Sequence, residues 1–283
     1  MTKAMQKLIA VAVLMALASP AWAQSRPLVT EDPETVGPGQ ILLEAGIDYH
    51  REAQFPVSGL TGNLWRIGTF GLSFGVSSIA EIQLDGGLRN RLAISDKAAA
   101  PLAKMLSLDG DSTADVEDVV IGAKVRFLSE GARRPAMAVR FATRLPNAGN
   151  ESGLGLDTTD FAFGLALAKT VDSIRMAGNV GFAILGDPVR GDRQNDVLTY
   201  GASIARAVAT GLEMVGEVNG RVNTRSGQAI IGTESRSVMR LGSRFTHGPV
   251  RVDAGFLFGI TERDPTWGFS TGLTWVFNAF TVK

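Results

Sequence analysis

From Ile41 to the end of the chain, apolar side chains recur at every second position, and the positions between them are polar or small. The last run shows this most cleanly. Trp267, Phe269, Thr271, Leu273, Trp275 and Phe277 alternate with Gly268, Ser270, Gly272, Thr274 and Val276. A strand sends alternate side chains to opposite faces, so each such run predicts a strand with one greasy face and one narrow, polar face. The first run sets Ile41, Leu43, Ala45, Ile47 and Tyr49 against Glu44, Gly46, Asp48 and His50. Ile82 and Leu84 then oppose Glu81, Gln83 and Asp85, and Val119 to Phe127 at odd positions oppose Asp118, Lys124 and Arg126. Met137, Val139, Phe141 and Leu145 face away from Arg140 and Arg144, and Phe161 to Leu167 from Asp160, Ala162, Gly164 and Ala166. Ile174, Met176, Val180, Phe182 and Ile184 oppose Arg175, Asn179 and Gly181, and Leu198, Tyr200, Ala202 and Ile204 make a further run. Leu212, Met214, Val218 and Val222 oppose Glu213, Glu217, Asn219 and Arg221. Met239, Leu241 and Phe245 oppose Arg236, Arg240 and Arg244, and Val250 to Ile260 at even positions oppose Arg251 and Asp253. Only residues 64–74 break the pattern. Arg66 turns even positions inward while Leu72 and Phe74 turn them outward, a conflict that a bulge near Gly68 or Gly71 resolves.

The connections alternate long and short through most of the chain, and Tyr49, Phe127, Phe161, Tyr200, Phe245, Trp267 and Phe277 fall near strand ends. Runs of ~10 residues, alternating loop lengths and terminal aromatics predict an all-β, closed antiparallel transmembrane barrel of about twelve strands, of the outer-membrane type. A secreted β-sandwich or solenoid explains the alternation too, but its polar face meets bulk water and favours Lys, Thr and Ser. Here that face carries Arg, Asp, Glu, Asn and Gly, a mixture suited to paired charges in a confined lumen. The lumen-lining candidates are therefore Glu44, Asp48, Glu81, Asp85, Asp118, Lys124, Arg126, Arg140, Arg144, Arg175, Asn179, Glu213, Glu217, Asn219, Arg221, Arg236, Arg240, Arg244, Arg251 and Asp253. Such charges either impose selectivity on a permeating solute or neutralise one another and fill the space. The arginines from Arg236 to Arg251 suggest a positive wall opposite an acidic first quarter.

Two stretches stand apart from the alternation. Residues 24–39, with Pro27, Pro33, Pro38 and several acids, predict an irregular periplasmic lead-in. Asn90 to Asp115 reads as a long charged connection, within which Ser95 to Leu108 predicts a short amphipathic helix. Asp96 stands at its cap, and Leu102, Met105 and Leu106 lie on one face, folded over the barrel mouth or resting on its rim.

The N-terminus changes the picture most. Lys3 and Lys7, the apolar stretch Leu8 to Ala18 and Ala21-Trp22-Ala23 have the form of a cleavable secretory signal over residues 1–23, leaving the barrel at 40–283. Charge is balanced at 28 basic and 28 acidic residues, and removal of the two lysines leaves 26 against 28, or −2. Such a balance offers no support for a nucleic-acid partner. With no Cys and only His50 and His247, no thiol chemistry, metal site or cofactor is indicated. His50, at the outer end of the first strand, lacks a nucleophile elbow to serve, so the expectation is a rim residue in a protein that is not an enzyme.

Several short pieces resemble the family of outer-membrane transporters called "MetA-pathway of phenol degradation". They are Arg26-Pro27-Leu28-Val29-Thr30-Glu31-Asp32, Glu44 with Gly46, Asp118 through Lys124, Leu145-Pro146 with Gly149, and Asn179 with Gly181. Glu213 and Glu217, Asp253-Ala254-Gly255, and Gly272-Leu273-Thr274 closing on Phe277 complete the set. The resemblance implies an outer-membrane barrel, embedded in outer-membrane lipid, that passes aromatic or other small hydrophobic solutes. The competing expectation is a structural or lipid-modifying barrel with a blocked lumen.

Overall fold

In the computed structural model, which describes residues 26–282, the alternating runs become a closed antiparallel barrel. The stretch read as a secretory signal lies outside the described residues. The strands are β1 (Gln40–Phe55), β2 (Leu60–Gly75), β3 (Ala80–Lys97), β4 (Ser112–Asp115), β5 (Val119–Leu128), β6 (Ala136–Leu145) and β7 (Asp160–Val171). They continue with β8 (Ile174–Gly186), β9 (Gln194–Ala209), β10 (Leu212–Asn223), β11 (Arg236–His247), β12 (Val250–Gly259) and β13 (Trp267–Asn278). Each wall strand pairs with its neighbours in chain order, and β13 closes the ring on β1 from Gln40↔Asn278 to Arg51↔Trp267. Closure gives every wall strand a hydrogen-bonded neighbour on each side, the condition for crossing hydrocarbon. The wall has 12 strands; β4, four residues long, lies in a loop beside the outer part of β3.

The apolar members of each alternation face outward. Phe258 and Trp275 remain 40% and 42% exposed, as lipid-facing side chains should, while Glu217 on the other face is 4% exposed. The strand ends joined by short turns lie at the end where β1 starts and β13 finishes, the periplasmic end of an outer-membrane barrel. At the opposite end Tyr49 packs between Trp65 and Trp267, with ring centroids 5.0 and 5.4 Å away, as part of an outer aromatic girdle.

The conflict within residues 64–74 is resolved by Gly68, which adopts φ +67°. Gly46 pairs with Thr69 but Ile47 pairs with Ile67, so Gly68 is the extra residue of a bulge. Below it Thr69 and Gly71 face inward and Leu72 and Phe74 outward; above it Arg66 and Leu64 face inward. A second expectation is corrected. The charged connection is largely strand, since β3 continues to Lys97 opposite Leu60 and β4 returns against it. In place of the amphipathic helix only a three-residue 3-10 turn forms, Ala103–Met105. The long outer part of β2 offers β3 a hydrogen-bonding partner as far as Lys97, with one bulge at Ser95, and this outcompetes a helix of one or two turns that carries the cost of nucleation. Asp96 is therefore a strand residue paired with Thr61. Replacing Gly68 by Ala forces a side chain into the left-handed region, and we expect a loss of about 1–2 kcal/mol. Denaturant unfolding in lipid vesicles measures it, and an unchanged midpoint would show that the bulge tolerates other geometries.

Candidate functional site: an occupied lumen

Many of the residues assigned to the lumen face find their partners in the lead-in rather than across the wall. Residues 26–36 run inside the barrel as a strap across the lumen. They are irregular, as expected, but not outside on the periplasmic side. Arg26 begins it. Its guanidinium lies 3.6 Å from Asp48 and 3.5 Å from Asp253, and donates to the Thr271 carbonyl at 3.0 Å. It occupies the space above Gly46 and Gly272, which pair in register on β1 and β13; a Cβ on either would collide with it. Leu28 packs on Ala205 and Val215. The backbone N–H groups of Val29 and Thr30 donate to the Glu217 carboxylate at 3.0 and 2.8 Å, and Arg240 holds the same carboxylate at 2.8 Å.

The acidic part of the strap meets the basic part of the wall. Glu31 pairs with Arg140 at 3.1 Å and Lys124 at 3.5 Å, and its carbonyl accepts from Asn179 at 3.2 Å. Asp32 receives a two-pronged contact from Arg175, at 2.5 and 2.6 Å, and Glu34 pairs with Arg126. Lys124, 1% exposed, also bonds Glu81 at 3.0 Å, and Glu81 accepts the Val36 N–H at 2.6 Å. Arg175 bridges onward to Glu130 in the β5–β6 turn at 3.1 Å. Charge-assisted bonds of this kind contribute roughly 1.5–3 kcal/mol each. Buried partners left alone cost several kcal/mol, on the order of 3–5. Together they fasten the strap to both halves of the ring.

Between the strap and the outer mouth lies a cavity of about 570 Å³. Arg26, Val29 and Glu31 of the strap form part of its lining, with Asp48, His50, Arg66, Glu117, Asp118, Arg140, Asn219 and Arg240 from the wall. Arg66 is held between Asp48 at 2.9 Å and Glu117 at 2.5 Å. Ala162, Gly164 and Ala166 on β7 leave room on the opposite side, so backbone lines the chamber there. His50, expected at the rim, is instead a chamber residue, because β1 continues past it to Phe55.

The chain matches the family model described as "Putative MetA-pathway of phenol degradation" over residues 24–277. It belongs to that family. No curated protein matches it. Among solved structures it is similar to the COG4313 outer membrane channel from Pseudomonas putida F1, with a TM-score of 0.60 at 13% identity, covering 87% of this chain and 98% of that one. Weaker likenesses are the translocator domain of the autotransporter NalP from Neisseria meningitidis, with a TM-score of 0.49 at 11% identity over 97% of each chain, and the TodX ΔS2S3 monoaromatic hydrocarbon channel, at 0.44 and 10% over 87% and 91%. The pieces that resemble the MetA-pathway family sit largely at the strap and its seat. Glu44 accepts the Arg26 N–H at 3.3 Å, and Gly46, Asp253 and Gly272 surround the Arg26 guanidinium. Lys124, Asn179 and Glu217 hold Glu31, Asp32 and the Val29–Thr30 backbone.

The mouth was missed by reasoning from alternation. Beyond His50 and Arg66 the inward positions of β1–β3 include Ala53, Leu60, Leu64 and Leu92, an apolar cluster packed by Phe55, Ile94, Leu106, Leu108 and Leu154. Loops close over it: the Leu102 N–H donates to the Val57 carbonyl at 3.0 Å, and Ser58 Oγ to the Gly153 carbonyl at 2.8 Å. The leucines were visible, but their inward facing follows from strands that project beyond the girdle. The β8–β9 loop is organised by Asp187, 1% exposed. Burial alone raises its carboxyl; the N–H groups of Val189 and Arg190 and the Arg193 guanidinium outweigh it and hold the group below its ordinary value.

Asp32→Asn and Arg175→Gln, alone and together, should give a coupling energy of about 1.5–3 kcal/mol in a double-mutant cycle of unfolding; additive losses would remove the strap's strongest anchor. For Asp187 the depressed folded value means that its contribution is complete above the unfolded value of about 3.9 and drains away as pH falls through the lower folded one. Hydrogen exchange in residues 187–193, corrected for intrinsic rates, should therefore quicken below about pH 4 in the native chain and show no such step in Asp187→Asn.

Proposed function

We propose that this protein is a passive outer-membrane channel for small solutes, aromatic ones included, in which the strap sets the opening. The observation that carries the reading is the chamber of about 570 Å³, placed between an apolar mouth and a polar strap. Its size falls in the range of small-molecule sites. A solute with an apolar ring and a polar group could lose water against Leu60, Leu64 and Leu92, then exchange it for the hydrogen-bonding groups of Arg66, Asn219 and Arg240. The family's description, which refers to phenol degradation, supports an aromatic solute. Exit toward the periplasm requires the strap to shift, because it spans the lumen at that level. Its ion pairs set the barrier to that shift. The chamber's arginines and carboxylates are paired with one another, an arrangement suited to orienting a dipolar solute rather than trapping an ion.

The second reading is a barrel whose strap is permanent filling. Lys124 and Glu81, each 1% exposed, favour it, since a network so thoroughly buried resists opening. One experiment separates the two. The variant Glu31→Gln, Asp32→Asn, Glu34→Gln keeps the chain length and weakens the strap's attachment to Lys124, Arg126, Arg140 and Arg175. In planar bilayers the native protein should show small, intermittent conductance and the variant a conductance several-fold higher. Liposomes holding either protein should take up phenol faster than empty ones. Equal, negligible conductance and uptake from both folded proteins would establish the filled barrel.

A further inference from the structure

The lipid-facing surface is apolar on β1–β3 until it reaches the outer girdle, where β3 presents two arginines. Regular alternation from Gly87, which faces the lumen opposite Thr69, would turn Arg89 inward as well. The Gly68 bulge prevents this. Arg89 pairs with Ile67 and Arg91 with Trp65, and both partners are outward, 43% and 46% exposed. The two arginines therefore share the outer face, in the row that holds Trp65, Tyr49 and Trp267. Among the described residues neither guanidinium has a hydrogen bond or ion pair, and Asp111 in the loop beyond β3 is taken by Lys97 at 3.3 Å. Guanidinium groups at the edge of hydrocarbon, without a carboxylate, are matched by phosphate, which accepts their paired N–H groups two at a time.

The surface below supplies the other half of a lipid. Leu88 is outward and 69% exposed beside Arg89. Deeper, Leu84 pairs with Ile121, where an apolar depression of about 540 Å³ opens on the outside of β3–β8, lined by Ile82, Ile121, Ala123, Phe141, Phe161 and Phe182. A phosphate above and an apolar furrow below describe a phosphorylated lipid of the outer leaflet.

We infer that Arg89 and Arg91 form a binding site for the phosphate of an outer-leaflet glycolipid, whose acyl chains lie along the neighbouring furrow. The site is outside the lumen and independent of what the channel carries. Native mass spectrometry of the full-length protein in neutral detergent tests it, with lipid A and its dephosphorylated form as probes. The native protein should retain lipid A at least tenfold more strongly than the dephosphorylated lipid. Arg89→Gln with Arg91→Gln should abolish that preference, and the double Lys variant should keep part of it. Heat-modifiable gel migration confirms that each variant is folded, and its conductance should match the native protein. Equal retention of the two lipids, or an unchanged preference in the Gln variant, overturns the site. Full displacement of lipid A by millimolar inorganic phosphate would instead make it a site for the free anion and overturn the lipid assignment.

Discussion

Charges cannot be left in the interior of a barrel without partners, and that constraint organises this lumen. The inward positions of β5–β12 carry more basic residues than acidic ones, among them Lys124, Arg126, Arg140 and Arg175 on one side. The carboxylates that answer them come from the strap: Glu31, Asp32 and Glu34. On the other side the relation is reversed. Asp48 and Asp253 on the wall receive Arg26. The strap is thus a short segment of mixed charge laid so that each end meets the opposite sign, and its register is fixed by those pairs. A one-residue slip would set like charges together and leave Lys124 buried beside no carboxylate of the strap.

This explains why the barrel was legible in the sequence and the strap was not. Alternation is a local property: Ile41 to Tyr49 or Phe256 to Ile260 declare their faces without knowledge of any other strand. The bulge at Gly68 was legible for the same reason, because Arg66 and Phe74 could not both be accommodated by one unbroken strand. The strap has no period. Its proline content and its acids are what a loose lead-in would show, and nothing in residues 26–36 says which compartment they occupy. One signal was available. The excess of arginine on the lumen face had no carboxylate to balance it on the wall, and the run Glu31-Asp32 with Glu34 was the nearest uncommitted acid in the chain. The notion of two opposed walls, one positive and one acidic, treated the lumen as empty and so looked for partners across it.

The mouth failed to emerge for a different reason. Sequence patterns assign a strand's faces but not how far it runs past the bilayer. β3 is 18 residues long and β1 and β2 are 16, against 10 for β5, β6 and β12. Their outer parts stand above the girdle, where the inward face needs to pack against loops rather than hold water. Leucine there is the same solution that a soluble core uses. The helix expected over Ser95 to Leu108 fails because those residues serve this projection: the first of them extend β3, and Leu106 and Leu108 cover the cluster below.

Strap and mouth are unlike barriers, and on the proposed channel reading the difference bears on what crosses. The mouth is held by apolar packing and a few backbone hydrogen bonds between loops, contacts that weaken gradually and reform without regard to the chemistry of what displaces them. An apolar ring arriving from outside replaces leucine contacts with equivalent ones, so its entry costs little. The strap is held by directional, charge-assisted bonds, each of which must be exchanged for a comparable one before it moves. A purely apolar solute offers nothing in exchange. A solute with a hydroxyl or carboxyl group can compete for Arg140 or Arg240 while its ring rests on the small side chains of β7. On that reading the order of the two barriers favours molecules that are apolar at one end and hydrogen-bonding at the other over plain hydrocarbons, which offer the strap nothing in exchange.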